Sequence, residues 1–186
     1  ATLVMAHGTD EQKQRFLPGL ASGDILFAYG LSEPDVGADL ASVTTRAERR
    51  GDTVVITGQK RWCSGANFAD YILMLVRSGP AEARYKNLSM VLVPCDAPGL
   101  TLERAEAMGV RGIPVNDVLL DNVEVPFANV LGGEAKWNQG WSLLAGPALE
   151  IEKLETPALA LGVAEAAVAE AWEYSQQRKQ FGAPIC

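Results

Sequence analysis

Two hydroxyls and an indole stand closest to chemistry in this chain. Ser32 closes Tyr29-Gly30-Leu31-Ser32 and precedes Glu33-Pro34, while Ser64 closes Lys60-Arg61-Trp62-Cys63-Ser64. Each segment has the form of a β-strand end that delivers a small hydroxyl residue, with Gly or Pro nearby to turn the backbone. The stretch between them is long enough for a strand, a turn and a returning strand that bring both hydroxyls to one place. A hydroxyl both donates and accepts, which suits the heteroatom edge of a flat ring of mixed polarity. Trp62 offers the same ring an apolar wall. Each residue also has an ordinary alternative: Ser32 begins a turn at Glu33-Pro34, and Trp62 is a core aromatic.

Other chemistries find little support. His7 is the only histidine, so a Ser-His-Asp triad or a His-rich metal site is hard to build. Cys63, Cys95 and Cys186 show neither C-x-x-C spacing nor an even count, which argues against a disulfide framework and for a reducing compartment. No G-x-G-x-x-G or P-loop sequence occurs. A net charge of −7 with interspersed signs opposes nucleic acid and anionic membranes. The longest strongly apolar run, Tyr71 to Val76, is a strand's length and far short of a bilayer span. With 48% hydrophobic and 21% charged residues the chain can bury a core. Any redox chemistry here must come from a bound cofactor.

The elements that position the two serines follow from pattern. Residues 1 to about 26 read as helical with a break, Thr9 and Gln12 forming a capping box and Pro18-Gly19 ending the helix. From Leu26 to about Val130 the signals become those of short strands: around Val43–Ala47, Thr53–Thr57, Tyr71–Val76, Leu88–Val93, Leu100–Glu103 and Val115–Val123. Arg50-Gly51-Asp52, Ser78-Gly79-Pro80, Asp96-Ala97-Pro98-Gly99 and Arg111-Gly112-Ile113-Pro114 separate them. This succession predicts an antiparallel barrel or two packed sheets within an α+β fold. After Gly132-Gly133 and Asn138-Gln139-Gly140 the chain turns Ala-, Leu- and Glu-rich. Ala160, Val163, Ala167 and Ala171 lie at helical spacing, suited to close helix packing in a bundle or at a subunit interface. Pro157 should mark a kink or a boundary.

The two serine segments resemble the flavin-contacting strands of the acyl-CoA dehydrogenase family. Gly8-Thr9-Asp10-Glu11-Gln12-Lys13, Leu17-Pro18, Ala21-Ser22-Gly23-Asp24, Asp121-Asn122-Val123-Glu124-Val125-Pro126 and Arg178-Lys179-Gln180-Phe181-Gly182 fall in that family's order. The resemblance implies three parts: residues 1–26 as the end of an N-terminal helical domain, 27–133 as a middle β domain, and 134–186 as the start of a C-terminal α-bundle domain. It also implies that the chain is a fragment, with most of the first helical domain and much of the last absent.

The same resemblance implies FAD as cofactor and an acyl-CoA thioester as substrate. Ser32, with main-chain groups of Tyr29 and Leu31, would meet the pyrimidine edge of the ring, and Trp62, Cys63 and Ser64 its reactive side. Gly37 and Ala38 would approach cofactor or substrate, Gly37 through a positive φ or close backbone approach. The family usually carries Ser where Ala38 stands. Arg178, Gln180 and Phe181 would reach the FAD of a neighbouring subunit, which implies a homodimer or homotetramer. Glu150 and Lys153 fall near bound CoA. The base is Glu152 or a Glu beyond Cys186. An electron-transfer flavoprotein is the implied acceptor, fatty-acid β-oxidation the context, and the cytoplasm or mitochondrial matrix the compartment. Two alternatives remain: an oxygen-using flavoenzyme on the same fold, and a non-catalytic module that keeps the fold.

Overall fold

A computed structural model of the chain describes residues 1–109 and 112–186. It divides into two units, Ala1–Leu144 and Ala145–Cys186. Arg111, first residue of one expected turn, lies outside the described residues.

The first unit opens with two helices, α1 (Thr2–His7) and α2 (Asp10–Ser22). The expected capping box is present: Gln12 N–H donates to Thr9 Oγ1 at 3.2 Å and Thr9 N–H to Gln12 Oε1 at 3.1 Å. The expected stop at Pro18-Gly19 is not. The helix runs through Pro18 to Ser22 and ends at Gly23, whose φ of 83° gives the left-handed cap that glycine adopts without strain. One missing N–H at Pro18 did not outweigh packing. Phe16, fully buried, meets Phe27 and Tyr71 edge-on at 5.4 and 5.2 Å, which docks α2 on the two strands beside the site.

Among the described residues seven strands join one curled sheet: β1 (Phe27–Gly30), β2 (Arg46–Arg50), β3 (Thr53–Ser64), β4 (Tyr71–Arg77), β5 (Leu88–Pro94), β6 (Leu100–Ala105) and β7 (Val115–Pro126). β4 lies between β1 and β5, and β2, β3, β7 and β6 follow in that order. The two groups join at one corner, where Arg46 pairs with Arg77. The α+β class and the curled, barrel-like sheet agree with expectation. The pairing is not antiparallel throughout, because β1 runs parallel to β4 in register Phe27↔Tyr71 to Gly30↔Met74. Val43 and Thr45, expected within a strand, precede β2, and Leu40–Ser42 forms a 3-10 turn.

Val54, Ile56, Ile72, Met74, Val91, Val93, Val118 and Val123 fill the space inside the curl. β4 and β5 read as unbroken apolar runs because both of their faces are covered, the outer partly by α3 (Gly140–Leu144) packed on β5.

The second unit consists of α4 (Pro147–Gln177) and a small hairpin, β8 (Lys179–Gln180) with β9 (Ala183–Pro184). Pro157 marks neither end of α4; it sits inside the continuous helix. Phe181 and Gly182, with φ of 53° and 85°, form the hairpin's two-residue turn, and positive φ at both central residues is what a tight turn of this twist needs.

Gly58 sets the spacing between the start of β2 and β3. Its φ is 150°, and a Cβ there would stand 2.7 Å from both Cα and Oγ1 of Thr45. Gly58→Ala should therefore destabilise the first unit by about 1–3 kcal/mol, measured as a lower urea midpoint. An unchanged midpoint would show that Thr45 can move aside without cost.

Candidate functional site

The site is built from the end of β1, the turn after it, and the second half of β3. β1 delivers Tyr29, Gly30 and then Leu31 and Ser32. Immediately afterwards Glu33 and Val36 close a tight turn through mutual main-chain bonds of 2.8 and 3.1 Å. The turn expected at Glu33-Pro34 thus exists, and Ser32 stands at its entrance. Arg61 N–H donates to the Ser32 carbonyl at 2.8 Å. That bond joins the serine segment to β3 three residues before Ser64.

Beneath this junction lies a buried ion pair that sequence reasoning missed. Lys60 Nζ is 2.9 Å from Glu33 Oε1, with side chains 0% and 3% exposed. Glu33 accepts three further bonds: from Thr45 N–H at 2.9 Å, and from Thr44 N–H and Oγ1, each at 2.7 Å. Four donors saturate a carboxylate. Burial would raise the Glu33 pKa, but Lys60 and the two threonines outweigh it and hold the carboxyl at about 2. Burial draws the Lys60 ammonium below its usual range, against the pull of Glu33. Lys60 Nζ also donates to the Leu31 carbonyl at 3.1 Å. One cation therefore fixes both the main chain before Ser32 and the carboxylate after it. The signal in sequence was parity: Lys60 shares the inward phase of Val54 and Ile56, where an unpaired lysine cannot be buried.

A bulge then re-aims β3. Pairing with β7 shifts between Lys60↔Val118 and Cys63↔Asn116, and Trp62 has φ 60°. In a regular strand Lys60 and Cys63 would face opposite sides; the bulge turns both inward and leaves Trp62 and Ser64 outward. Trp62 is 51% exposed, so it is not a core aromatic. The Arg61 guanidinium lies over its ring at 4.4 Å. Cys63 is wholly buried, and burial pushes its thiol up to about 12. Only main-chain groups of Cys63 remain for contact with an outside group.

Tyr29 is 41% exposed, and Leu31 and Ser32 are half-buried. Among the described residues no protein acceptor takes the Ser32 N–H. Gly37 and Ala38 are exposed on the following loop, which Asp39 tethers to Ser42 and Arg84. The conformational argument for Gly37 fails in this structure. Its φ lies outside the left-handed region and a Cβ would meet nothing within 4 Å, so only an approaching ligand would require glycine there.

The remaining site residues belong to the second unit. Glu150 and Lys153 pair with each other at 2.6 Å, both about two-thirds exposed. Glu152 is exposed on α4. Arg178 caps α4 with its N–H on the Tyr174 carbonyl at 2.8 Å; Gln180 and Phe181 are exposed on the hairpin. No described group of His, Cys, Asp and Glu could hold a metal ion, and no described helix is long and apolar enough to cross a membrane.

Comparison with known proteins bears on the whole length. Residues 28–123 match the family model "Acyl-CoA dehydrogenase, middle domain", and residues 138–186 match "Acyl-CoA dehydrogenase, C-terminal domain". The chain belongs to the acyl-CoA dehydrogenase family. It is 40% identical over 180 residues to a probable acyl-CoA dehydrogenase of Bacillus subtilis, YngJ, a match that covers 96% of this chain and 46% of that protein. Its fold is similar to that of butyryl-CoA dehydrogenase from Megasphaera elsdenii (TM-score 0.89, 32% identity, 100% of this chain and 48% of the other). It is also similar to a glutaryl-CoA dehydrogenase from Mycobacterium smegmatis in complex with FADH2 (TM-score 0.85, 29% identity, 99% and 45%). The chain spans about half the length of the curated relatives it matches. Membership in an oxidoreductase family of flavoproteins is thereby established for this sequence.

The ion pair generates two predictions. Lys60→Met strands a buried carboxylate and should cost about 3–5 kcal/mol in urea unfolding, part of it regained in Lys60→Met/Glu33→Gln, whose amide nitrogen cannot accept from the threonine N–H it faces. Equal costs for the single and double variants would contradict this. Because the folded pKa of Glu33 is depressed, its contribution is complete above about pH 4.5, its ordinary value, and is lost as pH falls towards 2. Wild type should lose more stability across that window than the double variant does.

Proposed function

We propose that the first unit carries the flavin face of an FAD-dependent acyl-CoA dehydrogenase. The observation that carries this reading is the bond between Arg61 N–H and the Ser32 carbonyl, which sets the Ser32 N–H, without an acceptor among the described residues, beside a strand presenting Trp62 and Ser64 outward. The donor set fits a flat heteroaromatic group: a main-chain N–H, two hydroxyls and an exposed indole. Main-chain groups of Tyr29 and Leu31 and the Ser32 N–H and hydroxyl would hold the pyrimidine edge. Ser64 and the Cys63 main chain would approach its reactive side, with Trp62 as a flanking wall. Bound flavin would supply the hydride acceptor for converting an acyl-CoA thioester to the trans-2-enoyl-CoA.

In this reading Gly37 and Ala38 lie along the bound cofactor or thioester. Ala38 offers no hydroxyl, which costs one neutral hydrogen bond of about 0.5–1.5 kcal/mol. Glu152 is our candidate for the base that takes the proton beside the thioester. Its exposure within its own unit means that other parts of the whole protein must desolvate it for that task. Glu150 and Lys153 would lie near CoA. Arg178 offers phosphate oxygens a planar fork, and with Gln180 and Phe181 it would reach the cofactor of a second subunit. Each complete site then draws on two chains of a homodimer or homotetramer, with an electron-transfer flavoprotein as acceptor.

Flavin binding tests the reading. The whole protein should take up FAD, and Ser32→Ala and Ser64→Ala should each weaken it about two- to tenfold, the worth of one neutral hydrogen bond, read as recovery of flavin fluorescence. A whole protein that stays colourless after FAD is added would favour a non-catalytic module. These 186 residues alone should hold FAD weakly; tight stoichiometric binding by them would contradict the need for a second subunit.

A further inference from the structure

The contact between Lys60 and the main chain before Ser32 has an electrostatic consequence. The Leu31 carbonyl and the Ser32 N–H belong to one peptide unit, and no cis peptide occurs among the described residues. In a trans unit the C=O and N–H point in opposite directions in one plane. Lys60 Nζ binds the carbonyl at 3.1 Å from the buried side, so the N–H points the other way, and no described protein acceptor takes it. A cation on the carbonyl oxygen draws electron density through the amide and makes the N–H a stronger donor. Glu33 neutralises much of the lysine's long-range field, but its oxygens are turned to Thr44 and Thr45 and do not touch the Leu31 carbonyl. What survives at the site is the local polarisation.

We propose that Lys60 is a positioning residue that polarises the Leu31–Ser32 peptide, so that the Ser32 N–H favours the more electron-rich state of a ring bound against it. This inference rests on the flavin reading above. A ring held there gains negative charge on reduction, and a stronger donor stabilises that form, raising the reduction potential. No bond to Lys60 is made or broken.

Two variants of the whole flavin-bound protein test the inference through the midpoint potential, not through activity. Lys60→Met/Glu33→Gln removes the cation and its counter-charge together and leaves no stranded ion. It should disfavour reduction roughly tenfold, a fall of about 30 mV for a two-electron couple. Lys60→Arg keeps a cation beside Glu33 and the Leu31 carbonyl and should stay near the wild-type potential. If the double variant fails to fold, Lys60→Leu/Glu33→Gln, which removes the same two charges, takes its place. A wild-type potential in the folded charge-free variant, or a fall in Lys60→Arg as large as in the charge-free variant, overturns the inference. A wild-type protein that takes up no flavin overturns the reading of the site instead.

Discussion

One buried contact, Lys60 with Glu33, organises the part of the molecule where chemistry would occur. Removing two charges from water costs several kcal/mol per ion, and the pair tolerates this because the carboxylate has all four of its donors and the ammonium two acceptors for its three protons. Glu33 takes four donors and Lys60 binds both Glu33 and the Leu31 carbonyl. The contacts come from three stretches: the turn after β1, the residues before β2, and the middle of β3. These stretches are distant in sequence and have few apolar side chains with which to hold one another. Polar closure does there what aliphatic packing does under β4 and β5.

That closure dictates the conduct of β3. Lys60 must face inward to meet Glu33, and Cys63 is packed in the core. Both conditions can hold only if the strand gains a residue between them, and Trp62 at φ 60° is where it does so. A bulky residue in that region costs on the order of 1–3 kcal/mol. The strain is retained beside a candidate site, and its effect is to turn the indole out of the sheet next to Ser64. Gly58 contributes from the other side, letting Thr45 approach closely enough for its N–H to reach Glu33.

Much of this was legible in the residues. The capping box at Thr9 and Gln12, the strand runs and the turn residues between them act locally, so local pattern reveals them. The motif order pointed to the family, and the curled sheet followed. What stayed hidden depended on partners far away in sequence. Pro18 read as a stop and Pro157 as a kink or a boundary, yet both helices continue through them; at Pro18 the packing of Phe16 outweighs the absent N–H. Parallel pairing of β1 with β4 leaves no local mark, since the connection between them is two strands long. Glu33 read as a turn residue and Trp62 as a possible core aromatic. Only the inward phase of Lys60 could have exposed the pair, and through it the bulge. Glu152 and Arg178 lie exposed on the second unit, so no local packing there marks them, and the roles proposed for them rest on the resemblance.

The central claim, that the Lys60–Glu33 pair welds the turn after β1 to β3, is tested most directly by native-state amide hydrogen exchange at Thr44, Thr45 and Arg61. Their N–H groups bind Glu33 Oε2, Glu33 Oε1 and the Ser32 carbonyl respectively. If the weld holds, all three exchange only through openings as costly as those that release the β3–β7 core amides. Exchange at these three positions as fast as in exposed loops, with the core amides still protected, would contradict the account.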